Sequence, residues 1–152
     1  MEIVRAAPAD LDAIAVLRRT LWPDSGIEEL KGRTPEMTGP APTHLVLIAR
    51  DGDGAPAGFA EVSLRRDHVN GCTGSPVAFL EGIYVVPNQR RRGLGRALIE
   101  AGLLWAQERG VAEFASDALL DNDASHAFHR AAGFEETERV IYFRRPVLLS
   151  AA

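Results

Sequence analysis

The chain is 152 residues long, 46% hydrophobic and 25% charged, with a formal net charge of −4. That length suits a single domain spanning 1–152, with core enough to need no staple, and the hydrophobic share excludes a disordered chain. The lone cysteine, Cys72, excludes an intrachain disulfide and suits a reducing cytoplasm, while the acidic balance disfavours nucleic acid as the main partner.

Met1–Arg5 lacks the basic-then-apolar pattern of a secretory leader, and no apolar run approaches the roughly 20 residues of a membrane helix. Ile3–Ala6 reads as a first strand. Pro8 suits the first turn of a helix whose apolar face carries Leu11, Ile14, Leu17 and Leu21. Trp22-Pro23-Asp24-Ser25-Gly26 ends that helix, Ile27–Lys31 forms a second short one, and the Gly- and Pro-rich stretch 32–42 reads as a surface loop. His44–Arg50 and Gly58–Leu64 are strands joined by the turn Asp51-Gly52-Asp53-Gly54. Val77–Val86, apolar except for Glu81 and Gly82, reads as a central strand buried on both faces. Leu94–Arg109 is the strongest helix, with Leu98, Ala101, Leu104 and Trp105 as its buried stripe and Gly110 as its stop. Glu113–Asp117 is strand-like, Asn122–Ala132 helical and Phe134–Arg145 strand-like again. A hairpin followed by alternating strands and helices predicts a mixed α/β sheet.

The run Pro87-Asn88-Gln89-Arg90-Arg91-Arg92-Gly93-Leu94-Gly95-Arg96 joins the central strand to the long helix. Glycines at 93 and 95 open backbone conformations closed to other residues, so several N–H groups can face one anion at a helix N-terminus. Arg90, Arg91, Arg92 and Arg96 add charge for a pyrophosphate or ribose phosphate. No Lys-Ser or Lys-Thr follows the second glycine, and Leu98 stands where a Rossmann turn needs its third. A nucleotide-containing ligand other than ATP or NAD remains.

Arg90-x-x-Gly93-x-Gly95 resembles the acetyl-coenzyme A motif of GNAT acetyltransferases, and Asn122-x-x-Ser125-x-x-Phe128-His129-x-x-x-Gly133-Phe134 resembles that family's second signature. The resemblance implies a central, mostly antiparallel sheet flanked by helices and split in a V at its central strands. It also implies that backbone groups of Ile83, Tyr84 and Val85 bind the pantetheine arm and that Arg91–Arg96, Leu94 included, hold the pyrophosphate. Asn122 and Ser125 are expected at the same cofactor, acetyl-CoA. A narrower likeness, to aminoglycoside 6'-N-acetyltransferases, runs through Leu21-Trp22-Pro23, Asp67-His68-Val69-Asn70-Gly71-Cys72, Phe79-Leu80-Glu81-Gly82-Ile83, Ala115-Ser116-Asp117 and Gly133–Ile141.

That likeness implies transfer of an acetyl group to the 6'-amine of an aminoglycoside, with another small amine, a polyamine, a protein N-terminus or a non-catalytic acetyl-CoA sensor as alternatives. A polyamine sugar needs fixed carboxylates. Glu81, in an otherwise apolar strand, and Asp117, at a strand end, are the candidates for binding the substrate and passing on its proton. Trp22, His68 and Glu136 are expected to line the same groove. Backbone N–H groups near Ile83 or Tyr84, freed by a bulge at Gly82, would face the developing oxyanion. The family usually carries a tyrosine where this chain has His129, so His129, Tyr142 and solvent all stand as the acid. The four histidines lack metal-ligand spacing, and no metal is expected. Family members often pair through C-terminal strands, so a homodimer is expected too.

Overall fold

A computed structural model describes residues 1–38 and 41–150. Five strands, β1 (Glu2–Arg5), β2 (His44–Arg50), β3 (Pro56–Arg65), β4 (Val77–Val85) and β5 (Phe114–Ala115), form one sheet in the order β1-β2-β3-β4-β5. The first three pairings are antiparallel and the last is parallel, reached through a helical crossover. Five helices accompany them: α1 (Leu11–Leu21), α2 (Ile27–Gly32), α3 (Thr34–Met37), α4 (Leu94–Glu108) and α5 (Asp123–Ala131).

Side chains alternate across a strand, so each central strand feeds two cores. Val46, Ile48 and Phe59 pack with Leu11, Ile14, Leu17 and Leu30 on the α1 and α2 face. Leu45, Leu47, Ala60, Val62 and Leu80 pack with Leu94, Leu98, Ile99 and Trp105 on the α4 face. A Pro8–Asp10 turn leads into α1, with the Asp10 carboxylate accepting the Ala7 N–H at 2.8 Å. Gly110, at φ +69°, closes α4 in the left-handed conformation that a β-carbon disfavours.

Three expectations need correction. The stretch 32–42 includes the one-turn helix α3, because Pro35 lies in its first turn, where no intrahelical donor is lost; residues 39 and 40 lie outside the described residues. Phe134–Arg145 forms no strand. Beyond Phe134 the chain runs exposed, with Ile141, Tyr142 and Phe143 at 71%, 82% and 92% exposure. Its residues carry strand propensity, but a strand needs a neighbour to bond, and no described strand of this chain flanks it. The strand expected at Glu113–Asp117 shortens to two residues.

Candidate active site

The pairing of β4 shapes the site. From Arg65↔Val77 to Val62↔Leu80 it runs in register with β3, and it resumes at Glu61↔Gly82. Glu81 is therefore the extra residue of a β-bulge, as the glycine beside it led one to expect. On its other side β4 meets β5 only at Ala78 and Phe79. Among the described residues no strand flanks Leu80–Val85 there, so the sheet parts and leaves backbone N–H and C=O groups along that edge without a strand partner. This is the expected V-shaped split, with Ile83 and Tyr84 on its lip.

Beside the bulge lies a charged cluster. Glu81 Oε1 accepts hydrogen bonds from Ser63 Oγ at 2.5 Å and Arg65 Nε at 2.9 Å, and Oε2 accepts from Arg65 Nη2 at 2.7 Å. Burial pushes this carboxyl up, but the bonds from Arg65 and Ser63 outweigh it and hold the group below the usual carboxylate range. The Arg65 guanidinium stacks 3.5 Å over the Phe79 ring and feels the charge of Asp117. Asp117 is exposed just past β5. Trp22, half-buried at the end of α1, packs against the Cα of Gly82; a β-carbon there would lie 2.7 Å from its Cζ2. Its ring meets Phe59 edge-on at 6.1 Å and lies 5.0 Å from the Arg18 guanidinium.

His68 and Glu136, also expected in the groove, have surroundings of their own. His68 is exposed in the loop after β3. The Glu136 carboxylate binds Arg139 and, at 2.9 Å, Arg130, which hold its pKa at about 2. Glu136 is thus part of an exposed ion-pair cluster at the start of the tail, with both oxygens already engaged.

Beyond the split, Arg91 at φ +62° and Gly93 at φ +84° turn the chain into α4, with Gly93 at the N-cap. Open space surrounds Gly93, so it is the backbone angle that calls for glycine. Gly95 differs: a β-carbon there would lie 2.8 Å from the Phe128 ring, so its missing side chain admits α5 rather than a ligand. Arg91, Arg92 and Arg96 are exposed around this N-terminus, and Leu94 points into the core. Free amides, the helix dipole and three cations suit a pyrophosphate. Arg90 makes contacts within the chain. Its Nε donates to the Val85 carbonyl at 2.8 Å, and its guanidinium lies 5.5 Å from the Tyr84 ring centre. It braces the strand end and takes one of the two lone pairs of the Val85 carbonyl.

On α5, the Asn122 side chain caps the helix by accepting the Ser125 N–H at 3.1 Å. His129 Nδ1 lies 2.7 Å from the Ser125 carbonyl, which can only accept, so Nδ1 carries the proton. Nε2 then accepts from Ser116 Oγ at 2.8 Å when the ring is neutral. The ring packs edge-on to Phe128 and Phe134. Ser116 follows β5 directly, which sets His129 beside the strand that forms one wall of the split.

Sequence reasoning missed Ser63, Arg65 and Ser116. The first two alternate with Glu61 along β3, and that period of two was the signal that they share a face. It also missed a buried ion pair, Arg18 Nε to Glu61 Oε2 at 2.8 Å, with the side chains 3% and 1% exposed. This pair lies under Trp22 and opposite Gly82.

Residues 11–134 match the acetyltransferase (GNAT) family. The chain is 48% identical over 151 residues to an aminoglycoside N(6')-acetyltransferase type 1 of Stenotrophomonas maltophilia, covering 98% of this chain and 95% of the relative. Among solved structures it resembles the apo aminoglycoside antibiotic 6'-N-acetyltransferase of Acinetobacter haemolyticus, with TM-score 0.85 and 42% identity over 97% of this chain and 99% of that one. It also resembles AAC(6')-Iy in complex with the bisubstrate analogue CoA-S-monomethyl-acetylneamine, with TM-score 0.85 and 40% identity over 96% and 98% of the two chains.

Proposed function

The chain belongs to the GNAT acetyltransferase family, and from that premise we propose that it acetylates the 6'-amine of aminoglycosides with acetyl-CoA as donor. The observation that carries this reading is the Glu81 carboxylate, fixed on the bulge at the split by Ser63 and Arg65 beside the Trp22–Gly82 contact, with Asp117 as a second, exposed carboxylate past β5. A polyammonium sugar carries charges that those carboxylates complement, and each such pair is worth about 1 to 4 kcal/mol as water is excluded.

Acetyl-CoA supplies the activated thioester. The N-terminus of α4 with Arg91, Arg92 and Arg96 holds its pyrophosphate, and the free edge of β4 holds its pantetheine arm. In this arrangement the amine attacks directly: a C–N bond forms as the C–S bond breaks. Backbone N–H groups at Ile83 or Tyr84, freed by the bulge, face the negative charge that grows on the carbonyl oxygen. Glu81 and Asp117 bind the ammonium form and so raise its pKa, which makes them binders that pass the proton to water. His129, once protonated on Nε2, returns a proton to the leaving sulfur by way of Ser116. Tyr142, 82% exposed on the tail, serves less well within one chain.

The tail gives the partner. Exposed Ile141, Tyr142, Phe143, Val147, Leu148 and Leu149 form a strand-prone apolar segment. In the proposed homodimer it pairs with a second copy of the chain, in the cytoplasm.

The test is thiol release from acetyl-CoA with kanamycin, tobramycin, 6'-hydroxy counterparts and spermidine. Turnover confined to 6'-amine drugs supports the proposal, and turnover with spermidine alone overturns the substrate. E81Q and D117N are expected to raise the acceptor KM at least tenfold and leave the acetyl-CoA KM within about twofold.

A further inference from the structure

A carboxylate on a β-bulge is poorly fixed by its own strand, because the bulged residue faces no single partner across the ladder. Glu81 is such a residue, yet its carboxylate is held at three points. We propose that Arg65 is a positioning residue for the acceptor site, locking the Glu81 carboxylate so that one lone pair of Oε2 remains for the substrate amine. This inference rests on the reading of Glu81 as an acceptor-binding group.

A carboxylate offers about four lone-pair sites. Ser63 and Arg65 Nε fill the two on Oε1, and Arg65 Nη2 takes one of the two on Oε2. The remaining position is thereby set in direction as well as number. Arg65 can act as a fixed element because its guanidinium is clamped from a second side, 3.5 Å above the Phe79 ring. A planar fork stacked on one face and bidentate at its edge has little freedom left, which a lysine cannot reproduce.

Other groups act on this pair as well: Glu81 faces Arg65 and Ser63 from β3 and His44 from β2, and the charge of Asp117 acts on Arg65. With Arg65 present the cluster Glu81, Arg65 and Asp117 still carries one net negative charge, so fixing Glu81 with a cation does not cancel its pull on an ammonium group.

The experiment compares R65Q, R65K, E81Q and R65Q/E81Q by thiol release with kanamycin. Titration of the Glu81 carboxyl carbon by NMR, assigned through E81Q, accompanies it. R65Q is expected to lower the acceptor kcat/KM about tenfold, chiefly by raising the acceptor KM as Glu81 loses its alignment, while the acetyl-CoA KM stays within about twofold. R65K, which keeps the charge but loses the fork stacked on Phe79, is expected to recover part of that loss. In the E81Q background the R65Q change should alter the acceptor kcat/KM less than about twofold, since the two residues act as a unit. The Glu81 carboxyl should titrate at higher pH in R65Q than in the parent. A wild-type acceptor kcat/KM in R65Q, or in R65K if R65Q does not fold, overturns the inference. So does an undiminished R65Q effect without Glu81, or an unmoved titration. E81Q with wild-type kcat and acceptor KM would instead overturn the reading of Glu81 itself.

Discussion

Replacing Gly82 by alanine tests whether Trp22 is seated on the bulge. The new β-carbon would lie 2.7 Å from Trp22 Cζ2, closer still to Cη2, and 3.3 Å from Leu21 Cδ1. Ordinary carbon contacts need about 3.5 to 4.0 Å, so the indole must retreat by about 1 Å. Behind it stand the Phe59 ring and the Arg18 guanidinium, both in the buried core, so the indole cannot retreat freely. Overpacking of this kind costs about 1–3 kcal/mol. At roughly 3 °C per kcal/mol for a chain of this size, Tm should fall by about 3–9 °C. Because the displaced ring sits on Gly82, the residue after Glu81, the acceptor KM should rise about tenfold while the acetyl-CoA KM moves less. Thermal melting and thiol-release kinetics measure both. W22F removes the atoms that clash, so G82A should cost less stability in the W22F background than in the parent. An unchanged Tm and acceptor KM in G82A, or equal costs in both backgrounds, would refute the reasoning.

Three further outcomes are expected. G95A drives a β-carbon into Phe128 and should tilt α5 away from α4; Tm falls by a few degrees, and G95A/F128A falls no further than F128A alone. R18M leaves the Glu61 carboxylate buried without its cation and should cost about 3–5 kcal/mol in urea unfolding, whereas R18M/E61L should be less destabilised than R18M. On acidification, Glu81 is held below its ordinary value, so its stabilising bonds are complete above the unfolded pKa near 4.3 and are lost as pH falls through the lower folded value. E81Q should therefore lose less Tm than the parent between about pH 5 and pH 2, and a parallel decline would contradict this assignment.

The central strands and α4 were legible because their signals are local. A nearly unbroken apolar run marks β4, a 3.6-residue stripe marks α4, although Leu104 of that stripe is 60% exposed, and a glycine beside Glu81 marks the bulge. What stayed hidden depends on residues far apart in sequence. Arg18 and Glu61 are 43 positions apart, and nothing near either one announces the other. Arg90 reads as a phosphate ligand from its neighbours, and nothing local announces its bond to the Val85 carbonyl across the turn at Pro87. Gly95 matched a ligand motif while its immediate role is to admit a ring from α5. The segment after Phe134 reads as a strand by propensity; pairing, which propensity does not supply, is what it lacks within one chain.

The parting of β4 from β5 leaves an open strand edge near the middle of the sheet. Such an edge is the kind of template that recruits foreign strands and begins aggregation. The bulge that aligns Glu81 also kinks this edge, and Pro87 stops it just beyond Val85, so a straight intruding strand finds only a short broken ladder. One irregularity thus serves solubility as well as chemistry, and a variant that straightened β4 would be expected to precipitate as well as to lose turnover.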